Sequence, residues 1–378
     1  MTKRLFRAAA AGLLGTTLCA GASAQITTSI TYNYANIAYP GAMVTSANGI
    51  NNSNVIVGSY LDSAASIHGF GYRHGRYTAV KFPGATATEV LGINDFGDIV
   101  GVYQVSGPLN FHGFLRHNGE FKSIDTPAAA FGTRAFGINK SGTIVGSYDD
   151  AHGFVYQGGA YRTLDVPQLP GEAPNTQLNG ISNLGWIVGQ VFTGGASRGF
   201  WMVGDKFGFL GPVGAADGQI AGANGRGDIV GCHDAMAGFV SFNIQIPRSG
   251  AGTGKFPAQQ PLASCASAIN YARVVVGSYF SVNHPQGFLA VPALTLNVVS
   301  PANHASLINP VHLVATASGN NPISQIQVWV NFKQVFHSNG ATLNSVVNLP
   351  VGTNERFAIY AIDSKGIKAK VVETITVH

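Results

Sequence analysis

Glu89 and Arg134 occupy the same place in two neighbouring copies of an internal repeat, three residues before a recurring glycine. The other copies place Ser46, Gln177, Gln219 and Cys265 there. A carboxylate accepts hydrogen bonds from hydroxyls, a guanidinium donates them, and amides do both. Chemistry that varies inside a fixed frame is what a binding site on a rigid scaffold requires. A second set lies further along each copy: Tyr60 with Asp62, Tyr103, Tyr148 with Asp149 and Asp150, His233 with Asp234, and Tyr279. Aromatic rings pack on the apolar face of a pyranose, and Asp accepts hydroxyl hydrogen bonds. The expected chemistry is saccharide recognition. Its candidate residues are Glu89, Arg134, Gln177, Gln219, Tyr60, Asp62, Tyr148, Asp149 and Asp234. The alternatives are a purely structural surface or matrix protein and an extracellular polysaccharide-degrading enzyme, a glycosidase or lyase. Glu89 with Asp62, Asp149 or Asp234 would then form the acid/base pair, and Arg134 would stabilise an anionic substrate. The plain structural readings are a solvated lining without a ligand and packing of the Tyr rings between copies.

Other motifs lose their chemistry on inspection. Gly195-Ala196-Ser197-Arg198-Gly199 matches a nucleophile elbow, but that elbow needs a strand, a sharp turn and a helix, and here it falls between two strands. Gly252-Thr253-Gly254-Lys255 has Ser249 and Phe256 where a phosphate loop needs Gly and Ser or Thr, so it reads as a flexible loop. Asn51, Asn94, Asn139, Asn224 and Asn270 occupy one turn per copy, where turn formation accounts for them. His68, His112 and His152 fall one per copy, which favours hydrogen bonding within each copy over a shared metal. No catalytic residue, metal or cofactor is assigned.

The elements that position these residues follow from the repeat. Val/Ile-Val-Gly ends at Gly58, Gly101, Gly146, Gly189, Gly231 and Gly277, in steps of 42 to 46 residues. Nine residues before each stands Gly-Ile-Asn or a relative, and Gly-Phe follows downstream. Each copy reads as four short strands. In the second they are Thr88 to Ile93, Asp98 to Tyr103, His112 to Arg116 and Glu120 to Asp125. Four-stranded units of 40 to 45 residues predict β-propeller blades. The sixth copy lacks its fourth strand, and Tyr34 to Pro40 supplies the missing pattern at the other end of the chain. The expected fold is therefore all-β: a six-bladed β-propeller closed by the N-terminal strand, with no exposed sheet edges at the seam. Strand one of each blade lies innermost, which puts the Glu89 and Arg134 positions near a channel mouth.

Gly-Ile-Asn-x-x-Gly-x-Ile-Val-Gly and His-Gly-Phe resemble the extracellular HAF-repeat family of bacteria, over about residues 33 to 292. His-Gly-Phe departs from that family's usual His-Ala-Phe. The resemblance implies an exported, propeller-like protein and no agreed activity.

From Leu294 the repeat gives way to alternating segments such as Ile326-Gln-Val-Trp-Val and Arg356-Phe-Ala-Ile-Tyr-Ala, punctuated by Pro301, Pro310, Pro322 and Pro350. This predicts a small β-sandwich. Ser300-Pro301 and Ala361-Ile-Asp-Ser-Lys-Gly366 resemble a bacterial immunoglobulin-like domain, with Trp329 expected in the core.

Composition agrees. Of 378 residues 49 are Gly, 22 Phe and 13 Tyr, and only 10% are charged, which excludes disorder and coiled coils. Lys3, Arg4 and Arg7, an apolar stretch from Ala8 to Leu18, and Ala22-Ser23-Ala24 read as a signal peptide cleaved after Ala24. The domain division is then 1–24 signal, 25–293 propeller and 294–378 immunoglobulin-like. Removing the signal lowers the net charge from +5 to +2 and leaves no basic cluster, so nucleic acid is not an expected partner. Outside the signal no apolar stretch is long enough for a membrane span. Cys232 and Cys265 remain in an exported chain and can pair. The expectation is a secreted or periplasmic monomer whose partner is a glycan or cell-surface ligand.

Overall fold

A computed structural model describes residues 27–378 apart from 107–110, 167–174, 194–195, 205, 210–217, 233–237, 242–252, 256–263 and 281–284. The expected signal segment and Asp234 lie outside the described residues. The described chain is all-β, with no helix.

Each of the first five repeats forms one antiparallel four-stranded sheet in sequence order, and the sixth belongs to a six-stranded sheet. Sheet I comprises Val44–Ile50, Ile56–Leu61, Ile67–Arg73 and Arg76–Val80. Sheet II comprises Ala87–Ile93, Ile99–Gln104, Phe111–His117 and Glu120–Ile124. Sheets III, IV and V begin at Thr133–Ile138, Thr176–Ile181 and Gln219–Ala223 and repeat the order. Thr253–Lys255 is the fourth strand of sheet V, so the expected loop there is a strand. Sheet VI joins Ser264–Ile269 and Val275–Phe280 to Pro285–Ser300, and the N-terminal Thr27–Ile37 pairs as its fourth strand, with Tyr34 opposite Ala290.

The glycine code has a steric cause. In every repeat sheet the first strand shifts register just before the same position, a Gly in five sheets, as between Val90 and Gly92, and Ala268 in sheet VI. Such a bulge bends the strand and redirects its groups. The Glu89 carbonyl beside it, and the ring of Phe114 paired with Gly101 from the third strand, lie against Gly101, where a Cβ would meet both. Gly58, Gly146, Gly189 and Gly277 are confined in the same way by the carbonyls of Ser46, Arg134, Gln177 and Cys265. Phe70, Phe114, Phe154 and Phe200 are fully buried. Each such ring contributes roughly 2–3 kcal/mol relative to exposure.

The hydrophobic cores lie between successive sheets. Val57 and Val80 of sheet I pack with Val90, Ile99 and Phe114 of sheet II. Val274 and Val276 of the sixth repeat pack with Ile37, Ala47 and Phe70. Buried Asn side chains add hydrogen bonds between sheets. Asn51 Nδ2 donates to the Asn94 carbonyl (3.0 Å), Asn94 to Asn139 (3.2 Å), Asn139 to Ser182 (3.4 Å), Asn224 to Asn270 (2.9 Å) and Asn270 to Asn51 (3.1 Å). Their Oδ1 atoms meanwhile accept amides of their own turns, as Asn94 does from Phe96 and Asp98. Turn formation is thus half of what these residues do.

Pro285–Ser300 continues out of sheet VI into the C-terminal unit, where it pairs with Val311–Gly319, which pairs with Thr342–Val347. A second sheet has the order Ser306–Leu307, Lys368–Val377, Gly352–Asp363, Ile323–Val330, Lys333–Asn339. Leu294, Leu296, Leu313, Val328, Phe357 and Ile359 share the core between them. Trp329 is not in it. Val328 and Val330 point inward, so strand alternation turns Trp329 to the outer face, where Nε1–H donates to Gln327 Oε1 (2.9 Å). That corrects the expectation of a core Trp.

Candidate functional site

Glu89 and Arg134 sit on the first strands of sheets II and III. The sheets pack side by side, so these positions share one cleft of about 160 Å³. Phe111, Tyr103, Val102 and Ile67 complete its apolar wall, and Gln104 adds an amide. The Arg134 guanidinium lies 4.0 Å over the Phe111 ring, and Nε is 3.3 Å from Asp150 Oδ1. This stacking fixes the plane of the guanidinium. Ser59 Oγ of sheet I donates to Glu89 Oε1 (3.4 Å), and Asn48 Nδ2 donates to Ser59 Oγ (3.3 Å). Burial raises the Glu89 carboxyl above its ordinary value, partly offset by Arg134 and by the Ser59 hydroxyl. A shielded carboxylate, an oriented guanidinium and a ring wall thus meet in one recess. They supply an acceptor, donors and an apolar surface.

The other candidates are not gathered there. Gln177 accepts from Gln190 Nε2 (3.2 Å) within sheet IV. Gln219 Nε2 contacts Cys232 Sγ (3.3 Å), and Cys232 is joined to Cys265 as a disulfide with a Cα–Cα distance of 4.9 Å. That bridge ties sheet V to sheet VI. Tyr60 stacks on Tyr39 at 3.7 Å, and burial with Tyr39 beside it pushes its hydroxyl up to about 12. Tyr148 is buried, with its hydroxyl 3.0 Å from Thr163 Oγ1. Asp62 closes its own turn, accepting from Ala64 and Ser66 amides (2.9 Å each) and pairing with His68 (2.8 Å). The Ser66 amide and then His68 hold its carboxyl below the usual range. Asp149 accepts the amides of Ala130, Phe131 and Gly132 (2.7–3.2 Å). Burial alone would raise its carboxyl, but these donors together hold it low.

The three His likewise pair within their repeats: His68 with Asp62 (2.8 Å), His112 with Asp125 (3.0 Å) and His152 with Asp165 (2.8 Å). Among the described residues no group of three or more His, Cys, Asp or Glu is placed to hold a metal. Ser197 and Arg198 of the elbow-like motif lie inside the strand Ala196–Val203.

Sequence reasoning missed Phe111 and the Asp150 contact. A signal existed for the ring: two residues before Gly-Phe the copies have Ile67, Ala151, Ser197, Met236 and Pro285, and only the second has an aromatic.

No family model matches this chain, and no curated protein matches it. Among solved structures it is similar to AofleA from Arthrobotrys oligospora, at 10% identity and a TM-score of 0.39, covering 93% of this chain and 94% of that one. It is also similar to the fucose-specific lectin from Aleuria aurantia, at 11% identity and a TM-score of 0.21, covering 91% and 93%. Both likenesses are weak, and the assignment below rests on this chain's own residues.

Proposed function

We propose that the six repeat sheets form a closed six-bladed β-propeller of the HAF-repeat kind. It is exported by residues 1–24 and acts as a non-enzymatic saccharide-binding protein. The C-terminal unit, 294–378, is its immunoglobulin-like companion, and the chain works as a monomer, secreted or in the periplasm. The observation that carries the binding assignment is the recess between sheets II and III, where Glu89, Arg134 and Phe111 converge. Sugar hydroxyls would donate to Glu89 and accept from Arg134, with an apolar sugar face against Phe111. Glu89 is the one carboxylate among the described lining residues, and Asp62 and Asp149 are held by backbone amides. This supports binding over hydrolysis, which needs a second carboxyl across the bond.

The test is a panel of neutral, fucosylated and acidic glycans against the full chain, with released sugar assayed in the same wells. Binding without release, weakened by Glu89→Ala and Arg134→Ala, supports the assignment. Release of product moves it to a polysaccharide-degrading enzyme. Silence across the panel moves it to a structural role.

A further inference from the structure

The outer face of the five-stranded C-terminal sheet carries a second, unassigned trough of about 250 Å³. Trp329 and Ala358 are cross-strand partners, as are Gln327 and Tyr360, and Tyr360 and Lys370. The small Ala358 leaves a depression bounded by the rings of Trp329 and Tyr360, whose centroids are 6.1 Å apart. Phe332 closes one end and is 73% exposed. It stands in the two-residue turn Asn331-Phe332, with φ of +44° and +69°. Such turns favour glycine at the second position, so a bulky ring there is disfavoured by the backbone and unneeded by any core. Arg356 lies 4.4 Å over the Phe332 ring, and Lys368 lines the same trough. Lys370 Nζ is 5.9 Å from the Tyr360 centroid. Among the described residues no carboxylate pairs with any of the three cations, and none lines the trough.

We propose that this trough is a second binding site, taking an acidic saccharide. The rings offer flat surfaces to the C–H face of a sugar, and Gln327 offers an amide to its hydroxyls. Arg356 and Lys368, which have no carboxylate partner among the described residues, are cations suited to a carboxylate or sulfate substituent. An apolar peptide would leave those cations desolvated without partners. The site does not depend on the Glu89 recess, which lies in another unit. With both occupied, one chain would grip a polymer at two points and gain from the high effective concentration of the second.

The test uses the full chain in affinity electrophoresis against polygalacturonate, dextran sulfate, neutral dextran and poly-L-glutamate. Polygalacturonate or dextran sulfate should retard the chain and dextran should not; the stronger of the two acidic arms identifies the substituent. Arg356→Ala and Lys368→Ala should each weaken that retardation about tenfold or more, as expected for a lost charged hydrogen bond. Trp329→Ala should abolish it and Trp329→Phe should retain part of it. Equal retardation by neutral dextran or by poly-L-glutamate would overturn the proposal. So would no retardation by either acidic polysaccharide, or retardation indifferent to Arg356→Ala and Trp329→Ala.

Discussion

Replacing Asn270 with Ser probes how the sixth repeat meets the first. Asn270 is 3% exposed. Its Oδ1 accepts the Val274 amide (3.0 Å), and its Nδ2 donates to the Asn51 carbonyl (3.1 Å) and Asn54 Oδ1 (2.8 Å). The chain contains its own precedent for the substitution. Ser182 occupies the equivalent place in sheet IV, and its Oγ accepts the Leu184 and Trp186 amides of the turn (3.3 and 3.1 Å). Ser at 270 should therefore keep the turn and lose the two bonds across the seam. The Asn51 carbonyl still receives the Asn54 amide, so no orphaned acceptor adds to the cost. Two hydrogen bonds at 0.5–1.5 kcal/mol each give a loss of about 1–3 kcal/mol. For a domain of this size that lowers the melting temperature by roughly 3–8 °C. Asn94→Ser, an interior control with one bond across to Asn139 and one to Asp98, should lose a similar amount. Urea titration and calorimetry of the full chain measure both. If Asn94→Ser costs the full amount while Asn270→Ser costs under about 0.5 kcal/mol, the seam is not closed in solution and the reasoning fails.

Gly101→Ala should prevent soluble folding, because a Cβ there meets the Glu89 carbonyl and the Phe114 ring, whereas Gly97→Ala (φ +87°) meets no atom and should cost only about 1–2 kcal/mol of backbone strain; relative soluble yield checks both. Cys232→Ser with Cys265→Ser removes a bridge across 33 residues and should cost about 3–4 kcal/mol, read as a lower urea midpoint with the slope nearly kept. Glu89→Gln should raise stability at neutral pH while weakening glycan binding. Burial raises the folded carboxyl, so its favourable contribution is present below the ordinary carboxylate pKa and lost as pH rises through the raised value; an unchanged melting temperature at pH 7 would contradict this. Asp149→Asn should do the reverse. Its carboxyl is lowered, so its contribution is present above the ordinary value and lost as pH falls through the lowered one, and the variant's deficit at pH 7 should vanish in acid; calorimetry across that range checks it.

The repeat was legible because its steric constraints recur at fixed offsets. Gly101 has no room for a side chain, and neither do Gly58, Gly146, Gly189 and Gly277, so the code survives in every copy. The Asn residues were half legible. Their turn bonds are local, but the Nδ2 partner lies 43 or 45 residues away for Asn51 and Asn94 and 219 away for Asn270, where sequence spacing says nothing of contact. Within the candidate site the Glu89 and Arg134 positions could be read from their offset, and their sharing of a recess with Phe111 could not, because it depends on how two sheets pack laterally. Tyr60, Asp62, Tyr148 and Asp149 have residue types suited to sugar binding. Their local geometry spends those groups on stacking, turns and amides instead. Trp329 was misplaced by residue type, although the alternation Ile326-Gln-Val-Trp-Val already put it opposite Val328.

In the proposed function the recess of sheets II and III holds a sugar without cleaving it. The direct measurement is calorimetric titration of the full chain with its best glycan, beside Arg134→Ala and Phe111→Ala, with product release assayed on the same samples. The expected result is saturable binding by the parent, a loss of about ten- to a hundredfold in each variant, and no released sugar. Undiminished affinity in both variants, or turnover of the glycan, would contradict it.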